Sequence, residues 1–305
     1  MIDISICVCT FRRPDGLFRL LRSLGHLDPE TPAYEVIVVD NDAAMSAEPV
    51  VHRARAEGLS ARYVVEPVRG IARARNRSLE AATGAFVAFI DDDEEADPAW
   101  LVRLWNEVKR KEDDGGIGPV IPRFSRGTPR WIIEGRFFER PRLPTGTVLV
   151  AWQARTGNAL IRREALKALP GPFDERYALT GGEDTDLFAR LIGRGCRLIA
   201  VDQAVVYEHV PPNRTTWRWL LQRRFLTGMG EARLYVATVP ADARQRWQRV
   251  RPLLSGLASG VVGLLLFPVF HVYGFDRLSR AARFLGRSAF HHGLSFHPYG
   301  RDSWR

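Results

Sequence analysis

Three consecutive carboxylates, Asp91, Asp92 and Asp93, close an apolar run at 85–90, and Glu94 and Glu95 follow directly. Like charges this close must be solvated, protonated or bridged by a cation. At the end of a buried strand the bridged state is expected, and oxygen ligands select a hard divalent ion, Mg²⁺ or Mn²⁺. A second acidic group, Asp40-Asn41-Asp42, ends the apolar run 36–39, where carboxylates can accept hydrogen bonds from a nucleotide's base or ribose. Thr10, Arg12 and Arg13 follow a third run at 4–9. The segments Arg69-Gly70 and Arg73-Ala74-Arg75-Asn76 offer cations and an amide for phosphate or base contacts. Gly181-Gly182-Glu183-Asp184 opens a helical pattern, where glycine permits close backbone approach and acids suit the helix dipole. His209, before Pro211-Pro212, is a candidate third metal ligand. A solvated acidic turn, a loop cap, exposed helix arginines and plain helix capping are the structural alternatives for these groups.

The elements that must position these residues are legible from periodicity. Apolar runs at 4–9, which is rich in β-branched residues, 36–39, 63–65 and 85–90 read as strands. Helical patterns lie between them, with Leu17, Leu20, Leu21 and Leu24 at helical spacing, then 50–57 and 71–82. Strands that are apolar throughout and separated by helices imply an α/β fold, a mostly parallel sheet with helices on both faces. Ligands bind such sheets at the carboxyl ends of strands. The clusters at 10–13, 40–42 and 91–93 all fall on that edge. The stretch 122–144, rich in Pro, Arg and aromatics, reads as a long loop. Order is expected to return at 148–152, with a helix at 163–169, another at 187–192, and one or two strands across 198–207. The chain contains no internal repeat.

Composition narrows the class. The 305 residues are 46% hydrophobic and 26% charged, which excludes disordered, collagenous and coiled-coil chains. Three cysteines exclude a secreted disulfide scaffold, and Cys7 and Cys9 read as inert buried thiols. No signal-peptide pattern opens the chain, so the cytoplasm is the expected compartment. The net charge of +9 is uneven: residues 211–305 hold 15 arginines against Glu231, Asp242, Asp276 and Asp302, a balance of +11. The preceding 210 residues carry 29 basic and 31 acidic groups and are nearly neutral.

The ordered motifs Cys9-Thr10-Phe11-Arg12-Arg13-Pro14, Val38-Val39-Asp40-Asn41-Asp42, Ala74-Arg75-Asn76 and Phe89-Ile90-Asp91-Asp92-Asp93 resemble family 2 glycosyltransferases of the GT-A fold. Thr156-Gly157-Asn158, Gly171-Pro172-Phe173-Asp174-Glu175 and Gly182-Glu183-Asp184-Thr185-Asp186 strengthen the resemblance, which runs from about residue 4 to 214. Bacterial exopolysaccharide glycosyltransferases of the succinoglycan-biosynthesis type look most similar. The resemblance implies that Asp40 and Asp42, with Thr10, Arg12 and Arg75, hold the uracil and ribose of a UDP-sugar. Asp91 would face the ribose beside Asp92, and Asp93, joined by His209, would bind Mn²⁺ or Mg²⁺ at the diphosphate. Asp184, next to Glu183, would be the general base of an inverting displacement. Processive members carry Gln-x-x-Arg-Trp; here the nearest segment is Gln222-Arg223-Arg224-Phe225, out of register, so transfer of one sugar is expected.

Two regions are therefore expected: a GT-A glycosyltransferase domain at 1–214 and a basic, largely helical, membrane-associating region at 215–305. Within the second, residues 253–273 are 21 positions without Lys, Arg, Asp or Glu, long enough as one helix to cross hydrocarbon. Gly256, Gly260, Gly263, Pro268 and His271 weaken a crossing, and arginines on both sides oppose it by the positive-inside rule. A hairpin kinked at Pro268 or an in-plane helix keeps both arginine clusters on the cytoplasmic face, against anionic headgroups. A buried helix of a soluble domain is the rival. Nucleic acid is not expected as a partner, because no binding motif accompanies the charge. The acceptor implied is a lipid-linked saccharide. A nucleotidyltransferase is the alternative enzyme, but the loop at 10–14 lacks its glycines. An inactive lipid- or sugar-binding module is the other alternative, yet Asp91, Asp93, Glu183 and Asp184 are all present.

Overall fold

A computed structural model describes residues 2–238, 247–292 and 294. They form two compact units, Met1–Arg123 with Arg140–His209, and Phe124–Glu139 with Val210–Arg305. The excursion 124–139 thus groups with the C-terminal helices.

The first unit is built on a seven-stranded sheet. Strands β1 (Ile4–Thr10), β2 (Tyr34–Asp40), β3 (Ala61–Val65) and β4 (Phe86–Ile90) pair in parallel in the order β3-β2-β1-β4. The apolar side chains of β1, β2 and β4 are buried on both faces, as their continuous apolar runs require, whereas the edge strand β3 buries Ala61 and leaves Tyr63, Val64 and Val65 half-buried. Helices α1 (Pro14–Leu24), α2 (Glu48–Ala56) and α4 (Trp100–Lys111) share a core with one face of the sheet. Helices α3 (Ile71–Ala81), α6 (Arg163–Lys167) and α7 (Glu183–Gly193) cover the other. Pro14 starts α1, where its missing N–H costs nothing, and Leu17, Leu20, Leu21 and Leu24 face the sheet. Beyond β4 the order continues β8 (Asn158–Arg162), β6 (Gly115–Ile117), β9 (Leu198–Ala200). Here β8 runs antiparallel to both β4 and β6, while β6 and β9 are parallel, so the sheet is mostly parallel with one reversed strand. A smaller sheet has the order β5 (Glu94–Ala96), β10 (Val206–Val210), β7 (Val120–Phe124), with β10 antiparallel to β5. It brings the acidic run after β4 beside the strand that carries His209.

The expected loop at 122–144 is not structureless. It contains the end of β7 and a helix α5 (Arg130–Glu134), whose Ile132 is fully buried. The expected order at 148–152 reduces to a single β-bridge at Val148 and a 3-10 turn, Ala151–Gln153.

In the second unit α5 joins three long helices, α8 (Trp217–Thr238), α9 (Trp247–Leu266) and α10 (His271–His291). Trp131, Phe137 and Phe275 form a cluster of rings with centroids 4.9–5.9 Å apart, and Phe138 stacks on Trp219 at 5.7 Å. Helix α10 packs against both α8 and α9. The apolar stretch 253–273 is thus not one helix: α9 ends at Leu266, the chain turns through Pro268, and α10 begins at His271. Among the described residues no helix is long and apolar enough to cross a membrane.

Candidate active site

The carboxyl ends of β1, β2 and β4 converge, and their polar residues are bonded to one another. Thr10 ends β1, and its hydroxyl donates to Asp92 Oδ2 at 2.8 Å. Arg13, one turn on, donates to Asp92 Oδ1 at 2.9 Å and to Asp93 Oδ2 at 3.1 Å. Asp92 is buried, and burial raises its carboxyl to about 6 even though Arg13 and Thr10 favour the charged form. The middle acid of the triplet therefore ties β1 to β4 while its two neighbours stay more open.

At the end of β2, Asp40 is fully buried. Its Oδ1 accepts from the Asp42 amide at 3.1 Å, and Oδ2 accepts from the Ala47 amide at 2.7 Å and the Tyr63 hydroxyl at 2.9 Å. Asp40 thereby shapes the turn that presents Asp42. Asp42 accepts from Arg12 Nε at 2.8 Å, and this guanidinium holds its carboxyl below the usual range. Asn41, which periodicity assigned no role, donates from Nδ2 to the carbonyls of Glu66 and Val68, both at 2.9 Å. Its Oδ1 accepts from the Gly70 amide at 2.7 Å. Gly70 has a positive φ of 155°, and a side chain there would collide with Ala178, so this entry to α3 requires glycine.

Helix α3 then aims Arg75 into the site. Its guanidinium pairs with Glu183 through Nη1 and reaches Asp91 Oδ1 at 3.3 Å through Nη2. Glu183 is buried at the first turn of α7, entered through Gly182 at φ 98°. Burial raises the Glu183 carboxyl to about 7, with Arg75 offsetting part of the effect, and its Oε2 lacks a hydrogen-bond partner. Asp184 is the contrast: it is half-buried, and its Oδ1 accepts from the Thr185 amide at 2.7 Å. Two adjacent carboxylates thus have different surroundings, one locked to a buried arginine and one open.

Glu94, also unassigned by spacing, is buried. Its Oε2 accepts from the Asp91 amide at 2.9 Å, and burial, followed by the charge of Asp91, pushes its carboxyl well up. Gly157 sits against this pair; a side chain there would press on Glu94 Oε1 and Asp91 Oδ2. Asn158 pins the reversed strand, donating to the carbonyls of Pro119 and Ala204 and accepting from Trp100 Nε1 at 2.7 Å. Arg140 lies in electrostatic range of Arg155, Asp184 and Glu208, and desolvation, then the Arg155 charge, bring it down to about 10. Its place in the loop-like stretch 122–144 hid it from periodicity.

The histidine behaves differently from expectation. His209 is tethered beside the triplet, its amide donating to the Asp93 carbonyl at 3.0 Å. Its ring, however, lies 2.8 Å from Glu95 Oε2, and Glu95 also receives Arg123 at 2.9 Å. Among the described residues no group of three or more His, Cys, Asp or Glu is gathered as a metal cage. The acids Asp91 and Asp93 nevertheless fit the sparse way Mg²⁺ is held, by one or two carboxylates with the remaining positions left to water and substrate phosphate.

A mostly parallel sheet with acids and arginines along its carboxyl edge is the layout of a GT-A glycosyltransferase, and solved structures of that class have this fold. One is the Staphylococcus aureus TarS 1–349 fragment in complex with UDP, with a TM-score of 0.55 at 17% identity over 97% of this chain and 93% of that one. Another is the mannosyltransferase PcManGT from Pyrobaculum calidifontis in complex with GDP-Man and Mn²⁺, with a TM-score of 0.56 at 21% identity over 97% and 76%. The glycosyl transferase family 2 model matches residues 5–169, and the chain belongs to that family; it is a glycosyltransferase. It is 36% identical over 301 residues to the succinoglycan biosynthesis protein ExoM of Rhizobium meliloti, spanning 96% of this chain and 92% of that protein. It is also 30% identical to the pre-mycofactocin glycosyltransferase of Mycobacterium tuberculosis, over 74% of this chain and 46% of that one.

Proposed function

We propose that this glycosyltransferase moves one sugar from a UDP-sugar to a lipid-linked saccharide, with inversion, in the assembly of a cell-surface polysaccharide or glycolipid. The observation that carries the reading is the unlike setting of Glu183 and Asp184 on one helix turn. Glu183 orients Arg75. Asp184 takes the proton from the acceptor hydroxyl as that oxygen bonds to the anomeric carbon and the bond to the diphosphate breaks. Asp42, presented by the Asp40 turn, and Arg12 serve the nucleoside side with Arg75, and Asp91 lines the ribose; Thr10 and Asp92, bonded to each other in the buried tie between β1 and β4, support that edge from beneath. Asp93, with His209 if its ring leaves Glu95, would hold Mg²⁺ or Mn²⁺, which when bound offsets charge on the departing diphosphate. The catalytic domain in this reading is 1–214, and 215–305 associates with the cytoplasmic face of a membrane. Similarity to a succinoglycan biosynthesis protein supports the polysaccharide role, and the basic C-terminal balance supports the anionic surface.

The test is a donor screen that follows UDP release with and without membrane lipid extract, on wild type and three variants. Asp184→Asn is expected to lower kcat by about 10²–10⁴-fold with UDP affinity kept. Asp93→Asn is expected to weaken UDP-sugar binding, and Glu183→Gln to be milder than Asp184→Asn. If Asp184→Asn stays within about threefold of wild type while Glu183→Gln is dead, the base is Glu183. Full turnover in excess chelator would remove the metal.

A further inference from the structure

Helix α9 inverts the usual arrangement of an amphipathic helix. Its small residues face its partner: Gly256 lies against Phe284 and Leu285 of α10, Gly260 against Ala281, and Gly263 against Leu278. A side chain at Gly263 would collide with the Leu278 backbone, so the two helices approach as closely as glycine allows. The large apolar residues point away. Leu253, Leu254, Leu257, Val261, Val262 and Leu264 are exposed, and Leu265 is 74% exposed. At 100° per residue these positions, with Ala258, sweep half the helix circumference without one charge. The exposed apolar surface continues over the turn through Val269 and Phe270 to Tyr273. Water is a poor environment for such a face, and an isolated soluble chain rarely shows one. Glycine inside and leucine outside is how helices pack when lipid surrounds them.

Length and charge choose the mode. The uncharged part of α9, residues 252–266, is 15 residues and rises about 22 Å, short of the roughly 30 Å of a hydrocarbon core. Arginines bracket the apolar stretch in sequence, Arg249 and Arg251 before it and Arg277 and Arg280 after it. A second copy seated on this face would bring two chains with +11 C-terminal regions together, whereas anionic headgroups would neutralise them. Tyr273 adds an exposed aromatic residue of the kind found at headgroup depth.

We propose that the outer face of α9 lies in the plane of an anionic bilayer surface, its leucines and valines among the upper acyl chains. The proposal rests on the reading that the C-terminal region meets a membrane, and it changes the cause from charge attraction to insertion. The test uses the full-length protein and sedimentation with vesicles of phosphatidylglycerol and phosphatidylcholine, at low and high salt. The variant is Leu257→Gln with Val261→Gln and Leu265→Gln, which alters no charge and touches only exposed positions. Its vesicle partitioning is expected to fall at least about tenfold, while wild-type binding survives high salt in part. Equal binding of variant and wild type, or complete release of wild type by salt, overturns insertion in favour of surface charge alone. Light scattering that shows a wild-type dimer dispersed by the triple variant, without vesicle binding, assigns the face to a second copy and also overturns it. Calorimetric UDP binding, expected to be equal in both proteins, checks the glycosyltransfer reading separately. Its absence in wild type would sink that reading and leave the vesicle result standing.

Discussion

Helix α1 and helix α9 are both rich in leucine and use it in opposite directions. In α1 the leucines at 17, 20, 21 and 24 lie beneath the sheet, essentially without solvent contact, and arginines face water. In α9 the glycines lie inward and the leucines outward. The first pattern draws its stability from apolar area removed from water. The second draws little from that source and depends on close contact between helix backbones. The same residue type therefore reports fold in one unit and surroundings in the other.

The contrast breaks most sharply at single side chains. Leu20→Ala is expected to cost about 2–5 kcal/mol in urea unfolding, because its neighbours cannot close the void. A value near zero would mean the first unit's core is loosely held. Next in size, Gly286→Ala should cost about 1–3 kcal/mol, since a methyl group there overlaps the Phe225 carbonyl of α8. Thermal unfolding of the full chain reads this, and an unchanged melting temperature would show that the helices slide freely.

A smaller effect is pH-dependent. The folded protein keeps the Glu183 proton up to about 7, whereas the ordinary value is 4.5. The stabilisation this represents is complete below about 4.5 and is lost as pH rises through about 7. Wild type should therefore lose stability across that window relative to Glu183→Gln, as judged from melting curves at its two ends. Parallel curves would mean that Arg75 keeps Glu183 ionised throughout. The smallest change is expected for Leu264→Ala, within about 0.5 kcal/mol in buffer. A larger loss would place that side chain in a protein contact.

The sequence disclosed the two patterns unequally. The runs ending at Thr10, Asp40 and Ile90 announced their strands because parallel strands buried on both faces read as continuous apolar runs, and the strand-end rule then pointed to the acids. Strand β6 was hidden, since Gly115-Gly116-Ile117 carries no strand preference; those glycines are there because a side chain at 115 would strike the Leu160 carbonyl. Strand β8 is only five residues long, and its direction depends on pairing partners that local pattern does not encode. Glu94 looked like one more acid of a run, and only the fold buries it. The run at 253–273 was visible as apolar and a kink at Pro268 was among its readings; what local pattern does not encode is the close packing of α9 on α10 that Gly256, Gly260 and Gly263 allow. For the ring of His209 there was no local signal: its partner, Glu95, comes from the neighbouring strand β5.

Asn41 carries a further implication. One side chain holds three main-chain groups of the segment 66–70, the carbonyls of Glu66 and Val68 and the amide of Gly70. The path into α3 is thus set before anything binds at that edge. A molecule arriving there need not spend free energy on ordering the loop, so its affinity would reflect contact chemistry rather than conformational search. In the proposed reading the consequence is practical: substitutions at Asp42 or Arg12 would act on donor recognition, whereas those at Asn41 would act on the shape of the loop.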